Sequence, residues 1–175
     1  SDYWKLHCFG LTAETLIDRA VELRFIGGVY GGSSKPSKFL CLVLKLLQLQ
    51  PEKEVVVEYI VQDEYKILRA LGAFYLRLVG SAVDIYNYLE PLYNDNRKLA
   101  YRTPNGWEIR HMDEFVDELL HQEQSCSISL PFLLGRGKLE QAGHLGPRVS
   151  VLDDLDLEDD ADGDDDDDDD DDDEA

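Results

Sequence analysis

Cysteine, net positive charge and long apolar runs are all scarce in this 175-residue chain, and each scarcity excludes a class of protein. Three cysteines occur, Cys8, Cys41 and Cys126, an odd number with no C-x-x-C pair. No disulfide framework follows from that count, and a reducing compartment is the simple reading. The longest apolar run, from Phe39 through Leu47, is interrupted by Lys45 and ends before Pro51. It falls short of the ~20 residues that a membrane-spanning helix needs. Basic residues are outnumbered, with 17 Lys plus Arg against 37 Asp plus Glu and a net charge of -20.

That charge is unevenly placed. From Asp153 to Glu174 the chain holds 18 acids and no base, which leaves 19 acids and all 17 bases in residues 1–152, a balance of -2. A domain that wraps nucleic acid in a diffuse positive field is excluded, because phosphate binding needs clustered Lys and Arg. A local basic patch is still compatible with the count. The near-neutral body is long enough for one domain with a sizeable core. Residues 164–173 are all Asp, and a run that repels itself and buries nothing is expected to be disordered. The expected organisation is therefore a body over 1–152 and an acidic tail over 153–175. The chain opens on Ser1 rather than Met, with Tyr3-Trp4 close behind, the pattern of a fragment whose natural N-terminus lies upstream.

What is present is mostly helical periodicity. Thr12 is a candidate N-cap for a helix carrying Ala13, Leu16, Ile17 and Ala20 to about Phe25. The glycine-rich stretch Gly27 to Ser34 then reads as a loop. Phe39 to Leu49 is apolar nearly all round, which predicts the central buried helix. Val55-Val56-Val57 is compatible with a strand, yet Pro51 and the early Glu52 and Glu54 favour a helix. Leu68, Leu71, Gly72, Tyr75 and Val79 mark one face of a further helix, with Gly72 admitting a close neighbour and Gly80 as its stop. Ser81 to Asp84 is a capping box that opens a helix through Tyr86 and Leu89, bent or restarted at Pro91. Asn94 to Asn105 reads as a polar connector, with a turn at Asn105-Gly106. Met112, Phe115, Val116, Leu119 and Leu120 form the clearest helical stripe in the chain, and Leu139 to His144 suits a short last helix.

Catalytic and ligand-binding patterns are incomplete. The glycine stretch follows a helix and contains no Gly-Lys pair, so it is not a phosphate-binding P-loop, and a hinge or partner-facing loop is the default. Glu118-Leu119-Leu120-His121 matches the Glu-x-x-His element of di-metal helix bundles, with His111 and Glu114 nearby. A second such element is missing, so a solvated charged face is the better reading and no metal or cofactor is expected. Lys66, Arg69 and Arg77 share a stripe opposite Leu68, Leu71 and Tyr75, a candidate contact for RNA or an acidic partner. Residue type makes Tyr30, Tyr86, Tyr88, Tyr93 and Arg97 candidate partner contacts. Tyr86 and Tyr88 cannot face the same side of one helix, and exposed Tyr is favoured at protein interfaces.

Several strings together resemble the pre-mRNA-splicing factor 38 family. They are Phe9 to Glu14, the loop Arg24 to Gly32 with its Gly-Gly-Val-Tyr-Gly-Gly core, Tyr88 to Asp95, and Met112 to Leu120. The likeness runs from about Tyr3 to Leu152 and is to the form that carries this loop. It implies an all-helical, non-catalytic domain without cofactor, acting in the nucleus as an interaction hub of the spliceosome during activation, after the tri-snRNP joins. It implies as partners microfibrillar-associated protein 1, which contributes a long helix, and a matrin-type zinc-finger protein of the tri-snRNP. Family members carry additional helical sequence before the Tyr-Trp segment, so part of the core is expected to be uncovered here. Some members also follow their acidic stretch with an Arg/Ser-rich region, whereas the sequence here closes on its aspartate run with Glu174-Ala175.

Overall fold

The computed structural model describes residues 1–149. The expected disorder of the aspartate run and the boundary at residue 152 lie outside the described residues. Residues 1–145 form one compact unit. Residues 146–149 belong to a second unit and carry no helix or strand.

A π-helical turn, Trp4–Cys8, is followed by α1 (Thr15–Glu22), the short strands β1 (Ile26–Gly27), β2 (Val29–Tyr30) and β3 (Lys35–Pro36), then α2 (Lys38–Leu49), α3 (Lys53–Val61), α4 (Lys66–Val79) and α5 (Ala82–Leu89). A 3-10 turn, Glu90–Asn94, leads into β4 (Lys98–Arg102) and β5 (Trp107–His111). The unit closes with α6 (Met112–His121), β6 (Gln124–Ser125), β7 (Ile128–Ser129) and α7 (Arg136–Gln141).

The all-helical expectation is wrong. The fold is mixed α/β, with a three-stranded sheet in the order β1-β4-β5 and the two small hairpins β2-β3 and β6-β7. The stretch read as a polar connector contains a strand, β4. β4 pairs antiparallel with β5, setting Arg102 opposite Trp107 and Lys98 opposite His111, while β1 adds in parallel through Ile26 and Tyr101. β4 alternates as a half-buried strand should, with Leu99 and Tyr101 inward. β5 turns its apolar residues Trp107 and Ile109 to solvent, so hydrophobic pattern gives no warning of it.

The helices also divide the core differently from expectation. α4, not α2, is central, since it packs on α1, α2, α3, α5 and α6 and is buried from Ile67 to Arg77 apart from Arg69. Its Phe74 ring meets Phe39 of α2 edge-on at 5.8 Å and stacks with Phe115 of α6 at 6.5 Å. Gly72 lets α3 approach, because a Cβ there would lie 2.8 Å from the Tyr59 Cβ. Val55 to Val57 are helical, as the proline and acidic start favoured. Ser81 caps α5 by accepting from the Asp84 amide at 3.2 Å.

The glycine stretch is anchored rather than free at its start. A Cβ on Gly27 would lie 2.5 Å from the Arg102 carbonyl oxygen, and one on Gly28 would lie 2.3 Å from that of Cys126. These two glycines allow backbone to meet backbone across the sheet and the β6-β7 hairpin. A Cβ on Gly31 or Gly32, at the loop tip, would meet no atom within 4 Å among the described residues.

Candidate protein-interaction groove

The start of α2 is fixed by Ser37, whose Oγ accepts from the Leu40 amide at 3.0 Å and donates to the Gly27 carbonyl at 2.7 Å. One hydroxyl thus caps the helix and ties it to the glycine loop. From there the helical period sorts the apolar residues into two faces. Phe39, Leu42, Val43 and Leu46 are buried. Leu40, Leu44 and Leu47 follow at i, i+4 and i+7 on the other face, where Leu44 is 50% and Leu47 37% exposed.

Those leucines line an apolar groove of about 340 Å³ together with Trp4, Pro36 and Ile128. The N-terminal turn forms one wall. Lys45, itself buried, holds that wall by donating to the Phe9 carbonyl at 2.8 Å, with its ammonium 5.8 Å from the Trp4 ring centroid. At the base lies Cys41, whose thiol pKa is pushed up by burial, and nearby burial pushes the Cys8 thiol up to about 11. Neither is a nucleophile at neutral pH. A concave apolar lining of this kind suits the side-chain row of a helix.

The residues singled out by type in the sequence do not form one patch. Tyr86 is buried and donates to the Leu134 carbonyl at 2.9 Å. Tyr93 donates to Asp117 at 2.7 Å, and Tyr88 lies half-buried under the Lys53 ammonium, 5.7 Å from its ring centroid. Arg97 clasps Asp95 with Nε at 2.9 Å and Nη2 at 2.7 Å, and also donates to the Asp63 carbonyl. Tyr30 stands apart on β2, beside Arg102.

The basic stripe is not a cationic surface. Arg77 is 4% exposed and donates to the Leu119 carbonyl at 2.7 Å. Arg69 donates to the carbonyls of Ile60, Val61 and Gln62 at the end of α3, as well as to Asp95. Lys66 donates to the Lys98 carbonyl. Helical spacing puts the three on one stripe of α4, but it cannot show that backbone carbonyls from α3, β4 and α6 meet them.

The Glu-x-x-His set is dispersed into pairs. Glu118 receives Arg110 at 2.8 Å, His111 meets Glu114 at 2.6 Å, and His121 lies 3.0 Å from Asp117. Among the described residues no three His, Cys, Asp or Glu side chains converge on a site for a metal ion. The groove residues Trp4, Leu40, Leu44 and Leu47 were missed in the sequence. The signal for the three leucines was the surplus of apolar residues in α2, which one buried face cannot absorb.

A sequence model of the PRP38 family matches residues 1–143. Pre-mRNA-splicing factor 38A of Homo sapiens is 58% identical over 160 residues, 91% of this chain and 51% of that protein. Pre-mRNA-splicing factor 38 of Drosophila melanogaster is 58% identical over 161 residues, 91% of this chain and 48% of that protein. The chain therefore spans about half the length of the curated relatives it matches. Among solved structures, a chain in the crystal structure of the Snu23-Prp38-MFAP1(217–258) complex of Chaetomium thermophilum is 44% identical and superposes with a TM-score of 0.83, covering 92% of this chain and 87% of that one.

Proposed function

The chain belongs to the PRP38 family, and from that premise we propose that it is a non-enzymatic scaffold of the spliceosome, acting in the nucleus by docking partner proteins. Its partners in this reading are counterparts of MFAP1 and of Snu23, the matrin-type zinc-finger protein, because a similar chain is found with both. The observation that carries the mechanism is the leucine row of α2, exposed at Leu44 and Leu47 among the described residues. Leu40, Leu44 and Leu47 with Trp4 offer apolar burial to a partner helix, and contacts at the groove rim fix its register. Half-buried Tyr88 is a proposed contact outside the groove. The step at which the protein acts is activation, after the tri-snRNP joins.

Titration of an MFAP1 fragment equivalent to 217–258 into the chain tests docking. Saturable binding that Leu44→Asp weakens supports the groove, and wild-type affinity in that variant removes it. Depletion from nuclear extract tests the timing. Stalling before the activated complex is expected, whereas unchanged progress to it refutes the assignment.

A further inference from the structure

We propose that Trp107, Phe25, Tyr30 and Arg102 form a stacking platform for single-stranded RNA, separate from the α2 groove. The four come from different segments that the sheet brings together. Arg102 on β4 is registered opposite Trp107 on β5, and Gly27 of β1 lies beside Arg102. The Arg102 guanidinium carbon lies 4.9 Å from the Tyr30 ring centroid and 5.1 Å from that of Trp107. Phe25 meets Trp107 edge-on at 4.9 Å. Arg102 is steadied by donating to the Gly106 carbonyl at 2.9 Å.

Three features select the ligand. First, Trp107 is 60% exposed although Phe25 and Arg102 support it, so an indole surface is presented rather than packed away. Aromatic and guanidinium planes are the usual partners of unstacked bases, and they are tolerant of base identity. Second, basic residues adjoin the platform in a chain that is strongly acidic overall. Arg24 adjoins Phe25, Lys35 is the cross-strand neighbour of Tyr30, and among the described residues neither carries an ion pair. The nearby acids are engaged, Glu108 by Arg110 at 3.1 Å and Glu22 by Arg19 at 3.4 Å. Third, the exposed tip glycines Gly31 and Gly32 have no side chains to obstruct a sugar-phosphate backbone. A duplex keeps its bases stacked internally and cannot use the platform, so the ligand is single-stranded.

Fluorescence anisotropy of a labelled single-stranded oligouridine RNA with the full chain at low salt tests this. Expected is saturable binding that Trp107→Ala weakens about 10-fold or more and Trp107→Phe largely restores. Arg24→Ala combined with Lys35→Ala is expected to weaken binding and flatten its salt dependence. Because Trp107 is exposed, circular dichroism of Trp107→Ala should match the wild type. Absence of binding at low salt, equal affinity in folded Trp107→Ala, or equally tight binding of the corresponding duplex overturns the proposal. So does Trp107-dependent binding of a polyglutamate peptide without RNA binding, which makes the platform a protein site.

Discussion

Arg69 of α4 donates through Nη1 to Asp95 Oδ2 at 3.0 Å, and the same guanidinium holds the carbonyls of Ile60, Val61 and Gln62 at the C-terminal end of α3. Arg97 grips Asp95 from the other side. The Asp95 and Arg97 carbonyls accept from the Asp113 and Met112 amides at the start of α6. Through its carboxylate, its carbonyl and the two arginines, Asp95 thus sits at the centre of a cluster that joins α3, α4, the approach to β4 and α6. Residues whose charge suggested a surface role form an internal latch.

Burial alone would raise the Asp95 pKa, but hydrogen bonds from Arg97 and Arg69 outweigh it and bring it from 3.8 to about 2. A lowered carboxylate pKa gives stability that is complete above the unfolded value and lost as pH falls through the folded one. At ~1.4 kcal/mol per unit the ionised form contributes about 2 kcal/mol. Urea unfolding of Asp95→Asn at pH 6 is expected to show a loss of about that size. The gap to wild type should close between pH 3.8 and about 2. A gap that persists unchanged to pH 2 contradicts the latch.

Arg77 makes a second internal bond, from α4 to the Leu119 carbonyl in α6, and burial lowers its pKa. Removing a charged donor from a buried acceptor costs roughly 2–3 kcal/mol. Arg77→Ala should therefore lower the unfolding midpoint while leaving RNA affinity, corrected for the folded fraction, unchanged. A selective loss of RNA affinity in a stable variant would return Arg77 to the surface role its spacing suggested.

The glycine pairs should separate by position. A Cβ at Gly28 would sit 2.3 Å from the Cys126 carbonyl oxygen, contact with backbone that cannot rotate aside, so Gly28→Ala is expected to cost about 3 kcal/mol or more. Gly32→Ala points into open space and should change stability by less than about 0.5 kcal/mol. Thermal melts of the two variants decide it, and similar midpoints would contradict the anchored start of the loop.

Helices were legible where burial has a period. Met112, Phe115, Val116, Leu119 and Leu120 are all buried, and the capping serine Ser81 was marked by its own spacing. The sheet was hidden for a physical reason. β4 and β5 sit at the edge of the core, so β5 exposes Trp107 and Ile109 and shows no alternation, although its turn at Asn105-Gly106 was visible. The groove escaped for the opposite reason. An all-round apolar helix reads as buried, and periodicity alone cannot say which apolar face lacks a neighbour. Side chains such as Tyr86 and Arg97 were identified by type, but the carbonyls and carboxylate that occupy them come from distant segments.

Leu44 and Leu46 are two residues apart on α2, and the fold gives them different roles. Leu46 has no exposed surface, so Leu46→Ala removes core contacts and is expected to cost about 2–5 kcal/mol. Leu44 is half exposed at the groove, and Leu44→Asp should leave the unfolding midpoint within about 0.5 kcal/mol of wild type. The same charge in an apolar groove must be desolvated when a helix docks, which should weaken a partner helix about 10-fold or more. Calorimetric titration paired with chemical unfolding separates the two effects. If Leu44→Asp destabilises the chain as severely as Leu46→Ala, its side chain is part of the core and the groove is not a docking surface.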